Sequence, residues 1–273
     1  MKPFAFAYCA PRSLDEALAR LAADEEARVL AGGQSLVPML NLRLAPADTL
    51  IDLSRIAALR ETVEGEQSIT YGALTPHAAF EDGLVPDAAN GLLRQVASGI
   101  AFRAVRTRGT LGGSLALADP AADWVTAMVA LEARVHLRSA VASRSLPAAD
   151  FVQGAYSTAL GPGEIIVAIE VQRCAPTLRW GWYKVARKVG EYADSMAAVL
   201  LDRERGCARV VLGAIDAAPL VLGHSAGALV AGASPQQLAA CVEHELASER
   251  GFDPVQLRRH RACVLRAING VLQ

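Results

Sequence analysis

The sequence predicts an α+β protein: two small α/β units in succession, then a C-terminal region of three antiparallel strands followed by helices. Three observations predict it. Strand and helix patterns alternate as β-α-β-α-β over residues 1–57. Apolar helical segments lie between strands over 58–175. From 176 to 273 three strand-like runs have short connections and two long helical patterns follow, as α+β folds do. These ranges are the expected domains.

In chain order, Phe4 to Tyr8 reads as a strand. Ser13-Leu14-Asp15-Glu16 is a capping box, and Leu14, Ala17, Leu18 and Leu21 continue at helical spacing. Ala27 to Ala31 is a strand that runs into Gly32-Gly33-Gln34-Ser35, and Leu36 to Leu44 reads as helix, with Pro38 tolerable only in its first turn. Leu50 to Asp52 is the next strand. Ser68 to Gly72 is a strand entering a turn, with helices expected near Thr75 and from Asn90 to Gly99. Val105 to Gly109 reads as a strand leading into Thr110-Leu111-Gly112-Gly113-Ser114. An apolar helix from Trp124 to Leu131, strands at Val135–Leu137 and Ile165–Val171, and a linker at Arg173–Arg179 complete the second unit. Trp182–Arg187, Ser195–Asp202 and Ala208–Ile215 are the three C-terminal strands, and Pro235–Ala247 and Pro254–Leu272 the helices.

The balance of 52% hydrophobic and 20% charged residues is that of a soluble globular chain. A net charge of −1 offers no basic field for nucleic acid or anionic lipid. No window approaches the roughly 20 apolar residues of a membrane span. Met1-Lys2-Pro3-Phe4 has one cation and no long apolar run, so no secretory signal is expected and the cytoplasm is the expected location. The five cysteines, Cys9, Cys174, Cys207, Cys241 and Cys263, are scattered, which speaks against a disulfide framework, an iron–sulfur cluster or a zinc site in this chain. They read as buried small hydrophobes.

Two glycine loops carry the chemistry. Glycines where a strand gives way to a helix let the backbone bend sharply and bring its N–H groups to an anion. Ala31-Gly32-Gly33-Gln34-Ser35 has this form, and Thr110-Leu111-Gly112-Gly113-Ser114 repeats it, with a hydroxyl directly after Gly-Gly in both. Two such loops suit a diphosphate gripped from two sides. Neither fits G-x-G-x-x-G or ends in Gly-Lys-Ser/Thr, so Rossmann and P-loop sites are disfavoured.

Ala31-Gly-Gly-Gln-Ser-Leu-Val-Pro-Met39 and Thr110-Leu-Gly-Gly-Ser-Leu-Ala-Leu-Ala-Asp-Pro-Ala-Ala-Asp123 resemble the two FAD signatures of the molybdenum hydroxylase medium subunit, of carbon monoxide dehydrogenase and xanthine dehydrogenase type. Gly72-Ala-Leu-Thr75 and the segment Tyr183-Lys184 to Gly190-Glu191-Tyr192-Ala193 extend the resemblance from Phe4 to the end of the chain. It implies a PCMH-type FAD-binding fold of two α/β subdomains, then a domain with a three-stranded antiparallel sheet and helices. It also implies that Leu30, Ala31, Gly32, Gly33, Gln34, Ser35, Leu36 and Val37, with Thr110, Leu111, Gly112, Gly113 and Ser114, hold the pyrophosphate and adjoining parts of FAD. By the same resemblance Asp123 is a cofactor-binding acid, and Ile100 and Ile166 are apolar contacts to flavin or adenine. Lys184 falls at a flavin-contacting lysine and Tyr192 at a tyrosine near the isoalloxazine. Two positions depart from the pattern: Gln34 stands where many medium subunits have His, and Glu191 where Asp is usual.

The resemblance implies a partial enzyme, with no catalytic or metal-binding residue of its own. A large subunit would carry molybdopterin and a small subunit two [2Fe–2S] clusters. Electrons would pass to FAD here and on to NAD⁺, a quinone, oxygen or another acceptor, in a heterotrimer or a dimer of heterotrimers. The benzoyl-CoA-type reductases add a cysteine-rich loop that this chain lacks. A stand-alone FAD oxidoreductase of the same broad fold, or an assembly protein that kept the fold without FAD, are the alternatives. Gly223-His224-Ser225-Ala226-Gly227 fits the G-x-S-x-G nucleophile elbow, with Asp253 and His260 in the order of a hydrolase triad. The chain from Ala226 to Gln273 is short for the rest of a hydrolase sheet, so a turn or helix start is the better reading. Arg103, Arg106 and Arg108 precede the second loop and read equally as phosphate or partner contacts and as solvated cations. Trp180 and Trp182 read as packing, and Arg258-Arg259-His260-Arg261 as a solvated helix face.

Overall fold

The computed structural model describes residues 2–249 and 251–273; Met1 and Arg250 lie outside them. The first unit is a three-stranded parallel sheet of β1 (Ala7–Cys9), β2 (Arg28–Leu30) and β3 (Thr49–Asp52), in the order β1-β3-β2. Helices α1 (Leu14–Ala23) and α2 (Leu36–Asn41) make its two crossovers. Ser13 caps α1 by accepting the Glu16 amide, but the Glu16 carboxylate turns to the Arg12 amide, so the box closes on only one side. Pro38 sits in the first turn of α2, and that helix stops at Asn41 rather than Leu44.

The second unit contains β4 (Thr62–Glu64), β5 (Ser68–Gly72), β6 (Arg134–Arg138), β7 (Ser143–Pro147), the small hairpin β8 (Val152–Gly154) and β9 (Ser157–Thr158), and β10 (Ile165–Gln172). The main sheet has the order β4-β5-β10-β6-β7 and is antiparallel at every pairing. Its helices are α3 (His77–Glu81), α4 (Leu92–Ser98), α5 (Arg103–Arg106), α6 (Leu111–Leu117), α7 (Asp123–Ala130) and α8 (Ala148–Phe151). The strand expected over Val105–Gly109 is therefore absent: α5 occupies its start and a turn follows. From one side of this helix Arg103 and Arg106 pair with Asp82 and Glu81.

The third unit is a meander of β11 (Arg179–Val185), β12 (Ser195–Asp202) and β13 (Cys207–Gly213), extended by a two-residue edge strand, β14 (Leu220–Val221). Strand β11 starts earlier than expected, at Arg179, and takes in both Trp180 and Trp182. Helices α9 (Gly223–Val230), α10 (Pro235–Ser248) and α11 (Pro254–Leu272) follow. Full capping boxes, Ser234 with Gln237 and Asp253 with Gln256, each followed by proline, fix the starts of α10 and α11.

Packing joins the units. Every residue of β12 is buried. Ala197, Val199 and Leu201 face the core under α9–α11, while Ala198 and Leu200 join the core around α4 and α7. Strand β10 is shared likewise: Ile165 packs with the N-terminal core and Ile169 and Val171 with the central one. Cysteine burial is uneven: all five are free thiols, and Cys263 is buried, whereas Cys207 is exposed. Among the described residues no helix is long and apolar enough to cross a membrane.

Gly181 shows how tight the contact with α11 is, because a Cβ there would run into the carbonyl of Ala267. Gly181→Ala is expected to destabilise the protein by about 2 kcal/mol, the usual cost of overpacking. A lowered urea midpoint would show it, and an unchanged midpoint would mean that α11 is free to move away.

Candidate cofactor site

The two glycine loops, far apart in sequence, meet. A Cβ on Gly32 would collide with the carbonyl oxygen of Arg108 and lie 2.9 Å from the Cα of Gly109. A Cβ on Gly113 would lie 3.3 Å from that of Ala31. Between and beside the loops runs a cleft of about 660 Å³, within the roughly 300–1,000 Å³ of small-molecule sites. All the sequence-predicted site residues line it except Leu30, Val37 and Leu111. Leu30 and Val37 instead flank the position that a Gly33 side chain would take. The Leu111 side chain is buried in the central core.

The loops look alike in sequence but differ in their hydrogen bonding. Gly33 has φ +72°, which glycine adopts without strain. Among the described residues, none accepts the amides of Gly33, Gln34 or Ser35. The Ser35 side chain makes no capping bond, and Gln34 Nε2 donates to the Gly32 carbonyl at 3.3 Å. The first loop is therefore an open nest of N–H donors. The second loop is stitched into the fold. Leu111 N donates to the Thr75 carbonyl (3.1 Å), Gly112 N to that of Ala73 (2.8 Å) and Ser114 N to that of Thr110 (3.0 Å). Gly113 N donates to Thr110 Oγ1 at 3.1 Å. What this loop offers the cleft is the Ser114 hydroxyl and a surface without side chains.

Opposite the loops, Lys184 on β11 reaches Asp123 at the start of α7, with Nζ at 3.0 and 2.9 Å from the two carboxylate oxygens. Its third bond goes to the Gly99 carbonyl at 3.2 Å. Asp123 is 5% exposed and the Lys184 side chain 14%. Burial raises the Asp123 carboxyl above the ordinary carboxylate range, and the Lys184 charge acts against that rise. The neighbouring segment is held by Arg106, whose Nη1 donates to the Ile100 and Ala101 carbonyls at 2.9 Å each while its other nitrogens bind Glu81. Arg103 is bidentate to Asp82. These two arginines are thus structural, whereas Arg108 is exposed and has no ion pair among the described residues. Gly190, at φ +86°, lies so close to the Ala101 carbonyl that its Cβ would sit 2.8 Å from that oxygen, and it brings Glu191 and Tyr192 to the rim. Tyr192 is largely exposed there, as is Phe102, another residue of the cleft.

Sequence reasoning missed several cleft residues: His77, Phe102, Asp119, Glu164 and Gly190. His77 follows the Gly72-Ala-Leu-Thr75 turn closely, and Asp119 lies inside the second signature, so proximity to recognised motifs was the available signal. Glu164 gave none, since it is placed by Arg144, bound through both carboxylate oxygens at 2.7 Å, across a sheet edge.

The hydrolase reading fails on geometry. Ser225 is fully buried, and its Oγ donates to Glu245 at 2.7 Å, the same carboxylate that accepts the His224 and Ser225 amides and so caps α9. His260 pairs with Ser195 and Asp253 caps α11, so no triad exists. Trp180 is a packing residue that donates its indole N–H to the Asn90 carbonyl at 2.9 Å.

Residues 4–173 match the family model described as FAD binding domain in molybdopterin dehydrogenase. The chain is 37% identical over 202 residues to the carbon monoxide dehydrogenase medium chain of Hydrogenophaga pseudoflava, covering 74% of this chain and 70% of that one. It is 36% identical over 213 residues to the 6-hydroxypseudooxynicotine dehydrogenase complex subunit alpha of Paenarthrobacter nicotinovorans, covering 77% and 72%. The structure of the Hydrogenophaga pseudoflava carbon monoxide dehydrogenase lacking the Mo-pyranopterin moiety contains a chain that superposes with a TM-score of 0.93, at 32% identity over 100% of this chain and 99% of that one. The protein belongs to the family of FAD-binding subunits of molybdopterin dehydrogenases, of the carbon monoxide dehydrogenase medium-subunit type.

Proposed function

We propose that this chain seats FAD in the cleft between its two glycine loops and serves as the electron-transfer subunit of a molybdopterin-dependent dehydrogenase or hydroxylase. Its partners would be a large molybdopterin subunit and a small [2Fe–2S] subunit, from which electrons pass through FAD to an external acceptor. The observation that carries this reading is the row of amides at Gly33, Gln34 and Ser35 that no described residue accepts, in a loop that lines a cleft of cofactor size together with Gly112 and Gly113 of the second loop. Such a row binds a diphosphate with neutral donors. FAD, when bound, supplies the exchange of one or two electrons that joins a cluster to a two-electron acceptor.

The chain's own residues then have distinct tasks. Gly32 and Gly113 let the loops close, and Ser35 and Ser114 add hydroxyl donors. Ile100 and Ile166 give the ring system apolar walls. Lys184 brings a positive charge to the flavin side, while Asp123 holds it in place. Tyr192 stands at the rim, where a ring edge would meet solvent or a partner. Relatives at this level of similarity are named as subunits or chains of dehydrogenases. This favours a partial enzyme over a stand-alone oxidoreductase.

Two results test the reading. Purified with its partner subunits, Gly32→Ala should carry less than about a tenth of the wild-type FAD by visible absorbance, because the added methyl forces the Arg108 carbonyl away. Full flavin content in that variant would contradict the cleft assignment. Lys184→Met leaves the Asp123 carboxyl buried without a partner and should cost about 3 kcal/mol in urea unfolding. The double variant Asp123→Leu with Lys184→Met should recover most of that stability but not the flavin. Recovery of both would remove the ion pair from the cofactor's surroundings.

A further inference from the structure

His77 is the first residue of α3, and its ring forms part of the cleft floor beneath the second glycine loop. The residue is only 5% exposed. Its place is fixed twice. The backbone N–H of His77 donates to the Gly109 carbonyl at 3.0 Å. The indole N–H of Trp124 donates to the ring at Nδ1, at 2.9 Å. A nitrogen that accepts carries no proton, so the neutral ring must carry its proton on Nε2. Nε2 points past Gly109, where a Cβ would come within 2.6 Å of it, and has no hydrogen-bond partner among the described residues. The Nε2 atom is not sealed in the core, and the ring lines the cleft, so Nε2 is open to a ligand there. A tautomer set by one partner while the other nitrogen faces a ligand cleft is the arrangement of a binding group.

We infer that His77 is a further cofactor-binding residue, whose Nε2–H donates to an acceptor oxygen of the bound dinucleotide, with Trp124 as the positioning residue that fixes this tautomer. The inference rests on the cleft being the FAD site. Burial, and then the nearby Arg106 charge, lower the His77 pKa to about 4. The ring is accordingly an uncharged donor at neutral pH, which matches the neutral amides of the first loop.

Two substitutions separate binding from packing. Asn at position 77 can still accept from Trp124 near the old Nδ1 but cannot reach as far as Nε2. Gln can place an N–H close to Nε2 but gives up the Trp124 bond geometry. The full complex carrying each variant is stripped of flavin and titrated with FAD by fluorescence, and thermal unfolding of the flavin-free complex is recorded. His77→Asn should weaken FAD about tenfold, the effect of one lost hydrogen bond of ordinary strength, with little change in flavin-free unfolding. His77→Gln should bind FAD within about threefold of wild type. Wild-type affinity in His77→Asn overturns the inference, as does the reverse pattern in which only Gln is impaired. Ser35→Ala serves as the control on the site itself. If it weakens FAD while His77→Asn does not, His77 alone has failed; if neither does, the cleft assignment has failed.

Discussion

Gly32 lies with its Cα against the carbonyl of Arg108 and the Cα of Gly109, and a side chain of any size at position 32 would drive the two loops apart. The rest of the site depends on this contact. The second loop fills the space beside Gly32, and the amides of Gly33, Gln34 and Ser35 have no acceptor among the described residues. The second loop can come that close because it is tied down from behind: Leu111 and Gly112 donate to the Thr75 and Ala73 carbonyls, and His77 donates to Gly109. One loop is therefore a rigid wall and the other an open row of donors, although the two read alike in sequence.

The far wall of the cleft comes from a different part of the chain and is tied to the near wall by buried charge. Lys184 reaches from β11 to Asp123 on α7 and to the Gly99 carbonyl, and Arg106 holds the next two carbonyls of the same segment. Buried pairs of this kind add little net stability, since desolvation offsets their attraction, but losing one partner is costly. Their value here lies in geometry: they fix the relative positions of α7, β11 and the Gly99–Phe102 segment. The C-terminal sheet belongs to the same body, because β12 is buried on both faces and shares its residues between two cores.

Much of this was legible in the sequence. The first β-α-β-α-β unit, the meander and the long C-terminal helices carry strong patterning, and the last two helices begin at Pro235 and Pro254 as expected; the capping boxes that fix those starts show only in the structure. The resemblance brought Asp123, Lys184, Ile100, Ile166 and Tyr192 to one cleft, as the geometry does. What was not legible depends on contacts between distant residues. The short α5 in place of a strand follows from Arg103 and Arg106 finding Asp82 and Glu81, which periodicity cannot reveal. The inequality of the two loops follows from what lies behind each, not from their own residues. His77 shared no spacing with another ligand-type residue, and only the fold places Trp124 on one of its nitrogens and the cleft on the other.

An experimental structure of the flavin-loaded complex, at a resolution that positions the diphosphate, shows directly which loop holds it. The diphosphate oxygens are expected within hydrogen-bonding distance of the amides of Gly33, Gln34 and Ser35. The second loop would contribute the Ser114 hydroxyl but no amide from Leu111 to Ser114. A diphosphate seated elsewhere, or one that has pulled the Leu111–Ser114 amides away from Ala73, Thr75 and Thr110, would contradict this placement.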